Sequence, residues 1–166
     1  MNTDREKALF NALYALSLKT RETFELSVLL QEIVEQATQL LKGTGGGFYL
    51  CDPQRQELRC VVSFKTKRDF TGVVLKYGEG VAGLVAQSGK PLIIDDYRSW
   101  SKRAAQYDAE QPFRAVLGAP VIWQDQVRGV IDILDDSEVR RFSREDLGLL
   151  SLFANLTSPF LRNLYP

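Results

Sequence analysis

The hydrophobic positions near both ends of the chain recur at the three-to-four-residue spacing of amphipathic helices. The first such segment opens with residues 3–6, Thr-Asp-Arg-Glu, which have the form of a helix capping box. Its apolar face is predicted to contain Leu9, Leu13 and Leu16. We therefore predict an N-terminal amphipathic helix within residues 1–22, followed by a domain that spans residues 23–166.

Two longer helices are predicted inside that domain. The first has Ser27 as its expected N-cap and Gly43 as its expected C-terminal stop. Its apolar face comprises Leu26, Leu30, Ile33, Val34, Ala37, Leu40 and Leu41. The last helix begins with a second capping box at Ser143 and is expected to kink or weaken at Pro159, because proline removes a helical hydrogen bond. Its apolar side comprises Leu147, Leu150, Phe153, Thr157, Phe160 and Leu164.

Between these helices, short runs of aromatic and β-branched residues alternate with turn residues, a pattern typical of strands. Two hairpins are predicted, one from residues 48–51 and 58–64, the other from 113–123 and 127–134. Shorter elements are predicted as strands at 73–75 and 91–94 and as helical segments at 81–87 and 97–107. Because the strands pair locally and helices bracket them, the predicted class is an α+β fold with a mainly antiparallel sheet.

The composition is that of one ordinary globular domain: 166 residues, of which 45% are hydrophobic and 25% charged. Lysine and arginine together equal aspartate and glutamate, so the net charge is zero. A neutral chain has no global field to attract nucleic acid or an anionic membrane, and we expect neither as a partner. Two cysteines do not form a disulfide framework, and no signal peptide or membrane-length apolar run is evident, so a cytoplasmic location is expected.

The chain contains no histidine. This excludes the histidine-dependent serine and cysteine nucleophiles, the histidine zinc motifs and histidine-ligated haem. We therefore predict no catalytic residues, no metal site and no cofactor, and the chain is not expected to be an enzyme.

Three local features have both a chemical and a structural interpretation. The group Gly78, Gly80 and Gly83 suits a turn and close helix packing, although the amides at the start of the following helix can also receive an anion. The pair Asp95 and Asp96 suits a helix cap, with a metal or acid–base role as the alternative. Cys51 and Cys60 flank the first hairpin turn. If the numbers of paired residues in this hairpin add up to 111, the two cysteines lie opposite each other as a redox pair or metal corner. Otherwise they are two ordinary buried thiols.

Five blocks of sequence, in order, resemble the GAF family of sensor domains. They are Gly-Glu-Gly-Val-Ala-Gly-Leu-Val from residue 78, Ser-Gly-Lys-Pro-Leu-Ile-Ile-Asp-Asp from 88, Arg-Ala-Val-Leu-Gly-Ala-Pro-Val-Ile from 114, Val-Arg-Gly-Val-Ile-Asp-Ile-Leu from 127 and Phe-Ser-Arg-Glu-Asp-Leu from 142. The resemblance covers residues 26–163. It implies a sheet of about six antiparallel strands, with the terminal helices on one face and a lid of loops and short helices over a pocket on the other.

The resemblance also implies a function. GAF domains sense cyclic nucleotides, tetrapyrroles, oxo-acids, amino acids or redox state, so we expect a non-catalytic sensor domain of a signal-transduction protein, such as a histidine kinase, with an unidentified, non-covalent ligand. Asp95 borders the pocket by this resemblance, and nearby aromatic residues suit a planar or apolar ligand. The predicted pocket residues are Phe48, Leu50, Phe64, Gly80, Val81, Leu84, Asp95, Trp100, Tyr107, Phe113, Val116 and Ile131.

The apolar faces of the terminal helices indicate a homodimer that passes the ligand state to an output domain, with packing on the chain's own sheet as the alternative. Two other functions stay open at this point. One is a dimerisation or scaffold module with a degenerate pocket. The other is a redox domain using Cys51 and Cys60, similar to the GAF-type methionine sulfoxide reductases.

Overall fold

The structure is a computed structural model that describes residues 4–5, 7–8, 10–12, 25–107, 113–137 and 141–164. The described residues between 4 and 12 are helical. Thr3 and Glu6 of the first capping box, the predicted face of Leu9, Leu13 and Leu16, and the segment boundary near residue 22 lie outside the described residues.

Three α-helices follow in the described part of the chain, and we number them from here. They are α1 (Leu26–Leu40), α2 (Gly80–Ser88) and α3 (Arg144–Thr157). Short 3-10 helices occupy Tyr97–Ser99, Ala105–Tyr107 and Ser158–Leu164. None of the helices among these residues combines the length and the apolar character needed to cross a membrane.

Six strands form one antiparallel sheet, which confirms the predicted fold class. The strands are β1 (Gly45–Asp52), β2 (Glu57–Phe64), β3 (Val74–Lys76), β4 (Leu92–Ile94), β5 (Ala115–Trp123) and β6 (Gln126–Asp135). Their order across the sheet is β3-β2-β1-β6-β5-β4. Consequently β1, β6 and β5 lie in the centre, and the two sequence-local hairpins are joined by pairing of β1 with β6.

Both faces of the sheet are covered, so alternate side chains of the central strands enter two separate cores. In β6, Ile131 and Ile133 pack beneath α1 and α3, whereas Val130 and Leu134 pack beneath α2. The same division applies to β5, in which Leu117 faces the terminal helices and Val116 faces α2. A strand side chain alternates with period two, and this period assigns each residue to one core or the other.

Helix α3 begins with the predicted capping box. The Ser143 hydroxyl accepts a hydrogen bond from the Asp146 N–H at 3.1 Å, and the Asp146 carboxylate accepts one from the Ser143 N–H at 2.7 Å. The same carboxylate forms an ion pair with Arg5. The N-terminal helical segment is therefore attached to the start of α3.

Three local predictions need correction, and a fourth, the weakening of the last helix at Pro159, is confirmed. Helix α1 begins after Glu25, which gives no side-chain cap, so Ser27 lies inside the helix. Lys42 rather than Gly43 takes the positive φ after that helix, and Gly43 instead leaves room for Ile133, whose Cγ2 would lie 2.5 Å from an added Cβ. Residues 97–107 form two 3-10 helices with a loop between them rather than one helix. Pro159 ends the regular α-helix, and a 3-10 helix continues the chain because proline lacks the N–H donor.

Helix α3 has a buried face and an exposed face, and substitutions on the two faces should differ in their effect on stability. Leu150 is fully buried, whereas Leu152 is 45% exposed. Leu150→Ala should lower the free energy of unfolding by about 2–5 kcal/mol, because it leaves a cavity in the core. Leu152→Ala should change it by less than about 0.5 kcal/mol. Urea unfolding of both variants measures the difference, and equal losses would contradict the assignment of the two faces.

Candidate functional site

The face of the sheet opposite the terminal helices carries a lid made of α2 and the two 3-10 helices in residues 97–107. Helix α2 approaches β5 closely at Gly118, where an added Cβ would lie 2.8 Å from Val81 Cγ1. Any side chain at position 118 would therefore push α2 away from the sheet. The lid is also held by hydrogen bonds from the Gly80 N–H to the Lys102 carbonyl, at 2.9 Å, and from the Tyr97 N–H to the Arg114 carbonyl, at 2.6 Å.

The glycines before α2 serve the turn and the packing of this lid. Gly78 and Gly80 have positive φ angles of 91° and 65°, which form the turn into the helix. Gly83 packs against the preceding strand, where an added Cβ would lie 2.6 Å from the Lys76 carbonyl oxygen. Because the Gly80 N–H already binds Lys102, the arrangement favours the turn-and-packing interpretation over an anion cradle.

A small cavity lies between the lid and the sheet. Its volume is about 30 Å³, counted as the space that the centre of a water molecule can occupy. That is enough for one or two waters or a few ligand atoms. Its walls comprise Gly46, Gly47, Tyr49, Cys60, Val62, Ser63, Thr66, Phe70, Leu75, Val81, Ala82, Tyr97, Tyr107, Phe113, Val116, Asp132 and Leu134.

Aromatic rings form much of the cavity wall. The Phe70 and Tyr107 rings meet edge to face with centroids 4.7 Å apart, and the Tyr97 and Phe113 centroids are also 4.7 Å apart. The hydroxyls of Tyr49 and Tyr107 form a hydrogen bond with each other. Burial raises the pKa of both tyrosines, so both hydroxyls are neutral at physiological pH.

Asp132 is the buried carboxyl group of the cavity. It lies in the middle of β6 and is only 6% exposed, and its neighbours in register on the two adjacent strands are both glycines, Gly47 and Gly118. An added Cβ at Gly47 would lie 3.0 Å from Asp132 Oδ1, so the glycine makes room for the carboxylate. Burial raises the pKa of Asp132 to about 7, although a hydrogen bond from the Gly47 backbone N–H acts in the opposite direction.

The structure places the predicted pocket residues in three different positions. Val81, Tyr107, Phe113 and Val116 line the cavity. Phe48 and Ile131 lie on the other face, in the core beneath α1 and α3, and Leu50 and Phe64 pack against that same core. The remaining residues, Gly80, Leu84, Trp100 and Asp95, lie in or beside the lid and are not part of the cavity wall.

The position of the predicted pocket residues that lie on the helix side has one physical cause. Side chains alternate along a strand with period two, so Phe48 and Ile131 point to the helix side, while the residues that follow them, Tyr49 and Asp132, face the cavity. Asp95 is exposed and lies 4.0 Å from Arg141. Contact of any of these residues with a ligand stays a prediction.

Sequence reasoning missed Asp132, the only charged side chain among the described residues of the cavity wall. The signal was present: an aspartate stands inside the apolar run Val130 to Leu134, where a solvent-facing position is not expected. An apolar strand that is buried on both faces has no ordinary structural use for a carboxylate.

The two cysteines are diagonal neighbours rather than opposite partners. Cys51 pairs with Leu58 and Cys60 with Tyr49, so the numbers of paired residues add up to 109 and not 111. Neither cysteine forms a disulfide, both thiols are buried, and burial raises the pKa of each to about 12. The described residues also contain no group of three or more acidic or cysteine side chains able to hold a metal ion.

Comparisons with known proteins agree with this architecture. The sequence profile of the GAF domain matches residues 25–158. Similar solved structures include the GAF domains of phosphoenolpyruvate-protein phosphotransferases from Acinetobacter (20% identity, TM-score 0.80, 98% of this chain and 96% of that one) and Coxiella burnetii (19%, 0.81, 95% and 94%). Another is the free methionine-R-sulfoxide reductase of Neisseria meningitidis in complex with its substrate (18%, 0.77, 95% and 88%).

The raised pKa of Asp132 predicts a pH dependence of stability. In the unfolded chain the carboxyl loses its proton near pH 3.8, whereas in the folded chain it keeps the proton to about pH 7. Its contribution to stability is therefore greatest below pH 4 and is lost as the pH rises through 7. Relative to Asp132→Asn, the wild type should lose roughly 2–3 kcal/mol of unfolding free energy between pH 5 and pH 8.

Urea unfolding across this pH range measures the effect. Asp125→Asn is the matched control, because Asp125 is exposed in the β5–β6 turn with a positive φ of 61° that asparagine also tolerates. A pH-independent difference between the wild type and Asp132→Asn would show that the carboxyl does not titrate in this range.

Proposed function

The chain belongs to the GAF domain family, and we propose that it is a non-catalytic sensor module that binds a small ligand, without a covalent bond, in the cavity beneath the α2 lid. The observation that carries this proposal is the mixed character of the cavity. Aromatic walls supply apolar contact, and a few polar groups, the Tyr97, Tyr107 and Asp132 side chains among them, converge on one small space. Binding sites for small molecules combine these two features.

The size of the cavity indicates that binding moves the lid. With about 30 Å³ open to water centres, the closed cavity admits only a few atoms. The 3-10 segments of the lid are joined to the rest of the fold by hydrogen bonds of Tyr97, Gly80 and the exposed Gln106, and the loop between them is partly exposed. A larger ligand would enter by displacing this segment, which is the less firmly packed side of the molecule.

The central strands connect the cavity to the terminal helices. Val116 lines the cavity while the next residue, Leu117, packs in the core beneath α1 and α3. A shift of β5 or β6 on ligand binding would therefore reach both helices. A ligand acts in this way only if it binds two states of the domain with different affinity.

We further propose that the terminal helices carry this change to an output domain within a homodimer, with a sensor histidine kinase as the parent protein. Support comes from apolar side chains that remain exposed on α1 and α3, namely Val28, Leu152 and Leu156. A second copy of the chain would bury them. The same exposed residues suit the scaffold interpretation, in which the cavity binds nothing.

A ligand screen separates the sensor from the scaffold. Nucleotides, oxo-acids, amino acids and tetrapyrroles should include a ligand that raises the melting temperature of the wild type, because it binds the folded state alone. Ala82→Leu, which fills the cavity, should remove the response, whereas Ala86→Leu should keep it. Ala86 is also buried in α2 but does not line the cavity.

Failure of the whole panel against the wild type would favour the scaffold. An equal loss of response in Ala82→Leu and Ala86→Leu would place the ligand elsewhere or show a general effect of overpacking α2, which costs about 1–3 kcal/mol.

The two thiols argue against the reductase alternative. A reactive cysteine needs an accessible thiolate, and Cys51 and Cys60 are 3% and 1% exposed with pKa values raised to about 12. Both should react with a disulfide reagent at pH 8 at least about a hundredfold more slowly in the native protein than in urea. Fast labelling of the native protein, or reduction of methionine sulfoxide that is lost in Cys60→Ser, would reverse this conclusion.

A further inference from the structure

Within the part of the chain that the structure describes, the cavity wall contains one carboxyl group and no basic group to match it. Among the described residues, none forms an ion pair with Asp132, and its hydrogen bond comes from the backbone N–H of Gly47. A buried carboxyl that lacks a charged partner costs several kcal/mol when ionised. This cost falls if a ligand supplies the missing positive charge.

The same observation disfavours anionic ligands. None of the described wall residues is a lysine or arginine, and the chain has no histidine. The Arg68 guanidinium lies 4.9 Å from the centroid of the Phe70 ring but is not part of the wall, so a phosphate or carboxylate group beside Asp132 would have no counter-charge within the cavity. Above about pH 7, where the Asp132 carboxyl is ionised, two like charges in a space this small repel strongly. Cyclic nucleotides and oxo-acids, which carry negative charge, are therefore poorly matched to this cavity.

The surrounding rings favour a cation. Tyr49, Phe70, Tyr97, Tyr107 and Phe113 all contribute to the wall. The faces of aromatic rings attract cations, most strongly where water is excluded. An aromatic enclosure with one carboxylate at its base has the chemistry of an ammonium site.

We propose that the ligand of this domain carries a protonated amine, and that its ammonium group enters the cavity and pairs with the carboxylate of Asp132. This proposal rests on the sensor function proposed above and specifies its ligand class. The ring wall surrounds the carbon atoms next to the ammonium group. The rest of a larger ligand extends towards the lid and displaces it.

Binding is coupled to release of a proton. Below about pH 7 the Asp132 carboxyl is protonated in the free protein. When an ammonium ion pairs with it, the carboxyl proton leaves to solvent and the ligand keeps its own proton, so one positive charge enters and one leaves. The free energy of removing that proton therefore weakens binding at low pH.

Among the described residues, the other titratable groups that interact with Asp132 do not share this pH range. They are Tyr49 on β1, Cys60 on β2 and Tyr107 in the lid, and burial raises the pKa of each far above neutrality. The elements α2 and β5 contribute only apolar residues to the wall, among them Val81, Ala82 and Val116. Asp132 therefore sets the pH dependence of binding between pH 5 and pH 8.

Three small probes of similar size and different charge test the proposal: propylammonium, 1-propanol and propionate. Titration of the isotope-labelled protein, followed by the amide shifts of β6 and the lid, gives each affinity. Propylammonium should bind at pH 8 at least about tenfold more tightly than either other probe, a difference of about 1.4 kcal/mol. Its affinity should fall about tenfold between pH 8 and pH 6, as Asp132 becomes protonated.

Asp132→Asn should lose the preference for propylammonium and the pH dependence together, while Asp125→Asn should keep both. Should Asp132→Asn fail to fold, the pH series and the ranking of the probes on the wild type still decide the matter. Calorimetry in buffers of different ionisation enthalpy should show release of close to one proton per propylammonium bound at pH 6 and little release at pH 8.

Two results would overturn the proposal. One is binding of 1-propanol or propionate in the cavity as tightly as propylammonium, which would leave the sensor function intact and replace its ligand class. The other is the absence of binding by propylammonium at pH 8. In that case the wider ligand panel decides the sensor function separately, because a neutral or anionic ligand from that panel would preserve it.

Discussion

The alternation of side chains along β1, β6 and β5 is the constraint on which the rest of this fold depends. Both faces of the sheet are buried, so consecutive residues of these strands enter two cores that do not mix. One core anchors α1 and α3, and the other receives α2 and the 3-10 segments. A register shift of one residue would exchange the two sets and place Asp132 beneath the terminal helices.

The two cores differ in how completely they are filled. The helix-side core is built from large aliphatic and aromatic side chains such as Phe48 and Phe153, both fully buried. The lid-side core contains hydroxyls, thiols and a carboxyl and keeps an internal space. Polar groups reduce the gain from burial, because each needs a partner. The fold thus combines a fully packed side beneath the terminal helices with a side that contains polar groups and an internal space, where we have proposed that a ligand binds.

Asp132 lowers the stability of the lid-side core, because burying a carboxyl group is unfavourable. The strands on both sides provide glycine next to it, and this opens the sheet surface for its carboxylate and for the approach of α2. An apolar residue at position 132 would avoid the penalty of a buried carboxyl. The stability of the fold therefore does not explain its presence in the centre of the sheet, whereas the proposed ammonium ligand does.

The sequence determined the order of elements and the fold class, because hairpin turns, capping residues and hydrophobic periods are local signals. Ser143 and Asp146 formed the predicted capping box, and Gly89 ended α2 with a positive φ of 68° as a stop residue should. The composition of the cavity was decided by the tertiary structure. Which of two adjacent residues, Phe48 or Tyr49, faces the cavity depends on strand register and on the irregularity between them, and the meeting of Asp132 with Tyr107 depends on how the lid folds back over the sheet. Such contacts join residues far apart in the chain, so no local pattern encodes them.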